Sequence, residues 1–159
     1  MPTLPQLIEE DVRRLEDVLR ELLEQSEATT ALLIDKGGFL LAHGGDAAQF
    51  ELTTIAALAS GAYLANQTIA NLVRERNFNN VYQQGENFSI LITNVDEHCL
   101  IVIIFKAQVS VGAVKYFAAT AAARIAAQMT IAHDRDPAGG LDLSMLNLEN
   151  PEVFFRKKV

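Results

Sequence analysis

The chain has 159 residues, half of them apolar, and a formal net charge of −7. This length suits one domain with a buried core, and an acidic balance without a basic stripe argues against a nucleic-acid partner. The single cysteine, Cys99, excludes an internal disulfide framework. Its place in the apolar run 99–105 predicts a buried, inert thiol in a reducing cytoplasm, and no stretch approaches the roughly 20 apolar residues of a membrane helix.

The first predicted element is a surface helix over residues 5–26. Its apolar residues recur at steps of three and four and mark one face, while the opposite face is charged. Acidic residues near its start complement the helix dipole. The predicted core stripe consists of Ile8, Val12, Leu15, Leu19 and Leu22.

A β-hairpin is predicted next. Two apolar runs, 31–34 and 39–42, flank the glycine-bearing turn 35–38. Both runs are nearly continuous rather than alternating, which predicts a sheet covered on both faces. Residues 43–50 are predicted to form a loop.

The second predicted helix, over residues 52–75, has an unusual surface. Its predicted core stripe is Ile55, Leu58, Ala62, Ala65, Ile69 and Leu72. A second stripe, of mostly small residues, consists of Ala57, Gly61, Leu64 and Thr68. A third stripe consists of Ala56, Ser60, Tyr63, Gln67 and Asn71. No formal charge occurs between Thr53 and Val73, whereas a solvent-facing helix normally has many. Gly61 in mid-helix costs about 1 kcal/mol relative to alanine, which favours close approach of another element. Burial of this surface against a partner is therefore predicted.

Three strands and a helix complete the predicted domain. The strand at 80–84 is short and polar, as expected of a sheet edge, and strands at 88–94 and 99–106 follow. The last helix is predicted over 110–132, with Ser110 as its N-cap. Its predicted core stripe is Val111, Val114, Ala118, Ala121, Ile125 and Met129. The breaker segment 134–140 closes the domain, which gives a domain at 1–133 and a linker with a C-terminal tail at 134–159. Two interpretations of the tail stay open: a frayed end, or a segment that docks on a partner.

The sequence contains none of the patterns that indicate a catalytic or cofactor site. It lacks a phosphate-binding loop, a dinucleotide fingerprint and a nucleophile elbow. His43, His98 and His133 are not at metal-ligand spacing, so neither a metal site nor a cofactor is expected. Arg74 and Arg76 raise the question of an arginine finger, but arginines also favour helix C-termini, and that interpretation is preferred. A non-enzymatic protein is expected.

Three segments resemble the roadblock family of dynein light-chain-like domains. The segment 31–40, with its Asp-x-x-Gly turn, resembles the opening hairpin of that family. The segment 53–62 is similar to the small-residue second helix of the family. The segments 100–105 and 111–115 are similar to its last strand and to the start of its final helix. Within the family the chain is most similar to bacterial MglB-type proteins, homodimers that regulate the Ras-like GTPase MglA in cell polarity and motility. The resemblance spans residues 6–132.

The resemblance implies an α/β (α+β) fold with a five-stranded antiparallel sheet. The second helix would cover one face and the first and last helices the other, as in roadblock and profilin-like folds. It also implies a cytoplasmic homodimer that binds a small Ras-like GTPase and stimulates GTP hydrolysis by reshaping the GTPase site, without an arginine finger. The alternatives are a dimeric structural adaptor without effect on hydrolysis and, as a weaker third idea, a small-ligand sensor. The implied dimer and partner residues are Ala57, Ser60, Gly61, Tyr63, Leu64, Gln67, Thr68, Asn71 and Arg74, with Val81, Tyr82 and Gln83 on the edge strand.

Overall fold

The computed structural model describes residues 4–135, which form three helices and five strands. Their order along the chain is α–β–β–α–β–β–β–α, as the sequence predicts. The elements are α1 (Glu9–Ser26), β1 (Thr30–Asp35), β2 (Leu40–Gly45), α2 (Leu52–Leu72), β3 (Asn80–Gln83), β4 (Phe88–Asn94), β5 (Cys99–Lys106) and α3 (Val111–Arg135).

The five strands form one sheet in the order β2-β1-β5-β4-β3. Every neighbouring pair is antiparallel. The central pair joins the first strand to the last, with Thr30 opposite Ile104 and Asp35 opposite Cys99. β2 and β3 are the two edges. The predicted five-stranded antiparallel α+β fold is thereby confirmed.

One face of the sheet is covered by α1 and α3, as predicted. The larger apolar cluster lies there, and the exposed fraction of Leu15, Leu19 and Leu22 does not exceed 1%. The predicted α3 stripe is buried in the same cluster except for Val111, which is half-buried, whereas Ile8 at the start of the α1 stripe is exposed. Burial of an apolar side chain of this size contributes about 2 kcal/mol, so this layer is the main source of stability.

The other face is covered by α2 alone. Its smaller cluster combines strand residues such as Leu32, Ile34, Leu100 and Val102 with the inward side of α2. Strand β5 has residues in both clusters, which explains why its sequence is a continuous apolar run rather than an alternating one.

The predicted boundaries of β4 and β5 are those of the structure, and the helix ends differ. α1 begins at Glu9, where the Asp11 carboxylate accepts a hydrogen bond from the backbone N–H of Ile8. α3 continues to Arg135, beyond its predicted end at 132. The predicted tail, 141–159, lies outside the described residues. Among the helices described, none is both long and apolar enough to cross a bilayer.

Candidate protein-binding surface

The side of α2 that faces the sheet differs from the predicted one. Apart from one leucine and one tyrosine, the buried residues of the helix are small, and they are Leu52, Ala56, Ala59, Ser60, Tyr63 and Ala70. The predicted core stripe is therefore wrong for most of its residues: Leu58 is 69% exposed and Leu72 79% exposed. Only Ile55 and Ala62 of that stripe are half-buried and pack against the smaller cluster. The stripe of Ala56, Ser60 and Tyr63 occupies the inward position instead.

Specific polar contacts explain this orientation of the helix. The Ser60 hydroxyl donates to the backbone carbonyl of Lys36 at 2.5 Å, and the Tyr63 hydroxyl donates to Oδ1 of Asn94 at 3.3 Å. The Lys36 ammonium lies 5.7 Å from the centroid of the Tyr63 ring. Burial lowers the pKa of Lys36 and raises the pKa of Tyr63. Ser60 and Tyr63 are thus buried within the subunit, and their prediction as residues of an exposed binding surface is wrong.

We define the groove side of α2 as Ile55, Leu58, Ala62, Ala65, Ile69 and Leu72, the former predicted core stripe. A groove of about 280 Å³ separates this side from the β4 half of the sheet. Its walls are apolar, with Leu58 and Ala62 on the helix and Ile90, Ile92 and Val102 on the strands. Ile92 and Val102 are themselves buried, whereas Ile90 is half-buried and Leu58 is exposed, so the apolar surface of the groove is only partly open.

We define the turn side of α2 as Ala57, Gly61, Leu64 and Thr68. All four residues are exposed, and Leu64 is 52% exposed. No atom lies within 4 Å of the position that a Cβ at Gly61 would occupy. Intramolecular packing therefore does not require glycine at this position, although glycine weakens the helix.

Three other predicted residues lie towards the end of α2. Gln67 is half-buried and donates from Nε2 to the backbone carbonyl of Phe78 at 3.2 Å, whereas Asn71 is exposed. The helix ends at Leu72 rather than near 75, and Arg74 adopts a left-handed conformation with φ of 63°. Such a residue is typical of a helix terminus.

The predicted edge strand β3 has one neighbour in the sheet, β4. Val81 is half-buried and Gln83 is exposed, and Gln83 lies at the mouth of the groove. Tyr82 points to the opposite face, where its ring stacks on Phe105 with centroids 6.2 Å apart. The outer backbone groups of β3 are available to another strand, since an edge strand leaves alternate N–H and C=O groups without partners.

The remaining candidate groups do not form a reactive centre among residues 4–135. Cys99 is fully buried, as predicted, and burial raises the pKa of its thiol to about 12. No cluster of three or more histidine, cysteine, aspartate or glutamate side chains suited to a metal ion occurs in that part of the chain. The exposed apolar surface of α2 is accordingly the prominent functional candidate.

One exposed aromatic residue is absent from the predicted set. Phe39, directly before β2, is 72% exposed. The hairpin prediction places it in a strand of a sheet covered on both faces, where it would be buried. Its backbone pairs with Asp35, which lies opposite Cys99 of the larger cluster, so Phe39 is on the face of the sheet away from α2.

Known proteins were compared with the chain by sequence and by fold. A family model for the Roadblock/LC7 domain matches residues 14–105. No match was found among curated protein sequences.

Solved structures of MglB proteins are similar over most of the chain. One MglB with a tetrameric arrangement is 31% identical with a TM-score of 0.77, covering 83% of this chain and 99% of that one. The gliding protein MglB of Thermus thermophilus is 30% identical with a TM-score of 0.75, covering 82% and 99%. Myxococcus xanthus MglB is 25% identical with a TM-score of 0.74, covering 80% and 96%.

The fold likeness extends further. Acanthamoeba castellanii profilin IA is 12% identical with a TM-score of 0.51, covering 71% of this chain and 97% of that one. At this identity the likeness concerns the fold alone, and it agrees with the predicted roadblock/profilin-like architecture.

Proposed function

Because the chain belongs to the Roadblock/LC7 domain family, and to its MglB-type members, we propose that it is a homodimeric regulator of a small Ras-like GTPase of the MglA type. The observation that supports this most is the outer surface of α2, which has exposed leucines and no formal charge between Thr53 and Val73. An apolar surface of this kind on a small domain indicates a protein partner.

The groove side of α2 is proposed to bind a second copy. Leu58 on this side is exposed beside the half-buried Ile90 of the groove, and the strand at that end of the sheet, β3, has a free edge. A second subunit that paired its own β3 through Val81, Tyr82 and Gln83 would extend the sheet. The α2 helix of the second subunit would then lie beside α2 of the first subunit and cover its groove. A single contact with two-fold symmetry would thus cover both the groove and the free edge of β3.

The turn side of α2 is proposed to bind the GTPase. Ala57, Gly61, Leu64 and Thr68 present small or apolar side chains, and Gly61 allows another backbone to approach closely. In a dimer paired through the groove sides, two such surfaces lie next to each other and form one platform. Asn71 and Arg74 extend this proposed surface towards the end of the helix.

The proposed regulator has no catalytic group of its own and needs no cofactor. The family fold is regulatory, and the sequence has no phosphate-binding loop. We expect the protein to stimulate hydrolysis by holding the GTPase in its active arrangement, with the GTPase supplying the catalytic residues. We expect the protein to act in the cytoplasm, where it would regulate cell polarity and gliding motility.

The test is single-turnover GTP hydrolysis by the MglA-type GTPase of the same organism, with and without this protein. The rate should rise and saturate with the protein concentration. Arg76→Ala should retain the stimulation, and Arg74→Ala should raise the protein concentration needed without lowering the rate at saturation, because no arginine finger is proposed. An unchanged rate at a saturating concentration of the wild-type protein would exclude activation.

The structural adaptor is the second candidate, and the same apolar surface favours it. An adaptor would bind its partner equally well in the GTP-loaded and GDP-loaded states and leave hydrolysis unchanged. Binding measured by calorimetry with the GTPase loaded with GDP or with a non-hydrolysable GTP analogue therefore separates the two candidates.

A further inference from the structure

Lys36 lies in the β1–β2 turn, and its backbone is held on both sides. Its N–H donates to the backbone carbonyl of His98 at 2.8 Å, and its carbonyl accepts a hydrogen bond from the Ser60 hydroxyl at 2.5 Å. A Cβ at Gly38, in the same turn, would lie 3.1 Å from the Cα of Ala57. The turn therefore packs directly on α2, and the fold fixes the position of Lys36.

The side chain of Lys36 lies against the same helix. Its ammonium is 5.7 Å from the centroid of the Tyr63 ring, and the residue is half-buried. Ala57, on which the turn packs, belongs to the turn side of α2, and so does Leu64, which follows Tyr63 in the helix. Lys36 thus lies where the inward side of α2 meets its turn side.

The charge of Lys36 has no direct partner within residues 4–135. None of the ion pairs in that part of the chain includes its ammonium. Asp96 and Glu97 in the β4–β5 turn raise the pKa of Lys36, but burial has the larger effect and lowers it. The positive charge is partly removed from water without an adjacent carboxylate, so a carboxylate supplied by a partner would stabilise it.

The surface beside Lys36 has no charge of its own. α2 contains no charged residue between Thr53 and Val73, and its turn side exposes small or apolar side chains. A partner that covers this surface excludes water, so an ion pair at its border is less screened than one on an open surface. Charges at an interface chiefly determine which partner is accepted and how fast it associates. The partner that fits has an apolar patch with an acidic side chain next to it.

The position of the groove indicates that this partner is not the second copy. The groove opens on the β4 side of α2, with Leu58 and Ala62 in its wall, whereas the turn that contains Lys36 packs on Ala57 on the other side of the helix. The free edge proposed to pair with a second copy is β3, and β5 and β4 separate it from β1 in the sheet. A second copy bound there leaves Lys36 open to a protein on the turn side.

We propose that Lys36 is a specificity-determining residue of the GTPase-binding surface, where its ammonium pairs with an acidic side chain of the GTPase beside the apolar contact of the turn side of α2. This inference rests on the proposed function. It extends the binding surface from a neutral helix to a helix with a fixed cation at its border, and it gives the GTPase surface a stated chemistry: an apolar patch flanked by a carboxylate.

The experiment compares Lys36→Met with Lys115→Met. Lys115 is the matched control, because its ammonium also lies over a tyrosine, 6.0 Å from the centroid of the Tyr82 ring, but on α3, across the sheet from α2. Both variants change the net charge by the same amount. Lys36→Met retains an unbranched apolar side chain against Tyr63, so its Tm should not fall.

Binding to the MglA-type GTPase, loaded with a non-hydrolysable GTP analogue, is measured by calorimetry at low and at high sodium chloride, and self-association by sedimentation equilibrium. Lys36→Met should raise Kd about tenfold at low salt, and its Kd should depend less on salt than that of the wild type. Lys36→Arg should retain most of the affinity, because it keeps the charge. Lys115→Met should leave Kd and its salt dependence unchanged.

Each outcome has a separate meaning. If the wild-type protein binds the GTPase and Lys36→Met binds equally well with the same salt dependence, the inference is wrong and the proposed function stands. If both methionine variants weaken binding equally, net charge and not the position of Lys36 is responsible, and the inference is wrong. The same holds if Lys36→Met weakens self-association instead. If the wild-type protein does not bind the GTPase in either nucleotide state, the proposed function and this inference both fail.

Discussion

The buried carboxylate of Asp11 at the start of α1 accepts a hydrogen bond on each of its oxygens from the guanidinium of Arg135 at the end of α3, both at 2.8 Å. Gln128 donates to the same carboxylate at 2.8 Å, and the backbone N–H of Ile8 at 2.9 Å. The side chain of Asp11 is fully buried, whereas Arg135 is partly exposed. This ion pair joins the start of α1 to the end of α3, the two helices that pack on the larger apolar cluster.

We expect Asp11→Asn to lower the free energy of unfolding near neutral pH by about 2 kcal/mol, because the carboxylate charge is removed and the amide nitrogen that replaces one oxygen cannot accept a hydrogen bond. Chemical denaturation measures this. Asp17→Asn is the matched control, since it removes a carboxylate from an exposed pair with Arg20 on the same helix, and it should cost less than about 1 kcal/mol. Equal effects of the two variants would contradict the role of the buried pair.

The same pair predicts a dependence of stability on pH. The hydrogen bonds from Arg135 hold the pKa of Asp11 well below its usual value, and outweigh burial, which raises it. The contribution of a carboxyl with a depressed folded-state pKa is complete above its unfolded-state pKa of about 3.9 and is lost as the pH falls through the folded-state pKa. Stability of the wild-type protein should therefore decrease more steeply below about pH 4 than that of Asp11→Asn, and parallel curves would contradict this.

Substitution of Gly61 should separate folding from binding. Gly61→Ala should stabilise the protein by about 1 kcal/mol, because alanine favours the helix and a Cβ meets nothing within 4 Å. Gly61→Arg should leave the Tm unchanged or higher, but it should abolish partner binding or self-association through its bulk. Thermal unfolding, sedimentation and GTPase binding measure the three effects. An arginine variant that both assembles and binds as the wild type does would refute the role of this surface.

A charge on the groove side should weaken self-association. Leu58 is exposed and lines the groove, so Leu58→Glu should place a carboxylate in the proposed contact between copies and raise the dimer dissociation constant by at least about tenfold. Ile131→Glu is the control, because Ile131 is 49% exposed on α3, across the sheet. Sedimentation equilibrium measures both, and a monomeric wild-type protein would itself contradict the proposed dimer.

Cys99 should be inert towards thiol reagents in the folded protein. It is fully buried, and burial raises the pKa of its thiol to about 12, so the thiolate is absent near neutral pH. Reaction with a disulfide reagent should become complete only in denaturant. Fast labelling of the native protein, at the rate of a small free thiol, would be inconsistent with the closed core.

The architecture was predictable because each element has a distinct pattern. In α1, large apolar residues recur on one side and charges on the other, so periodicity alone indicates which side is buried. In α3, the recurrence of Val114, Ile125 and Met129 indicates the buried side, although alanines lie there too. The nearly continuous apolar runs of the hairpin, 31–34 and 39–42, predicted coverage of both faces, and the structure has helices on both. Asp11 was interpreted only as a helix-dipole residue, since its partner Arg135 is distant in sequence and no local pattern joins them.

The orientation of α2 was not predictable from apolar periodicity. Its larger apolar residues, such as Leu58 and Leu72, are on the outside, and Ala56 and Ser60 are on the inside. Periodicity assumes that the most apolar stripe of a helix faces the core of its own subunit. In α2 the inward side is instead fixed by close packing and by the contacts of Ser60 with Lys36 and of Tyr63 with Asn94. The absence of formal charge between Thr53 and Val73 still predicts that a partner covers this helix.

The placement of β1 next to β5 has a consequence for synthesis on the ribosome. The hairpin of β1 and β2 can form early. The other neighbour of β1 is β5, which lies about 70 residues later in the chain and pairs with it from Thr30 opposite Ile104 to Asp35 opposite Cys99. Until β5 has left the exit tunnel, the hairpin has no central partner strand. Every strand must therefore emerge before the sheet closes, which predicts slow folding and a nascent chain that needs protection from aggregation.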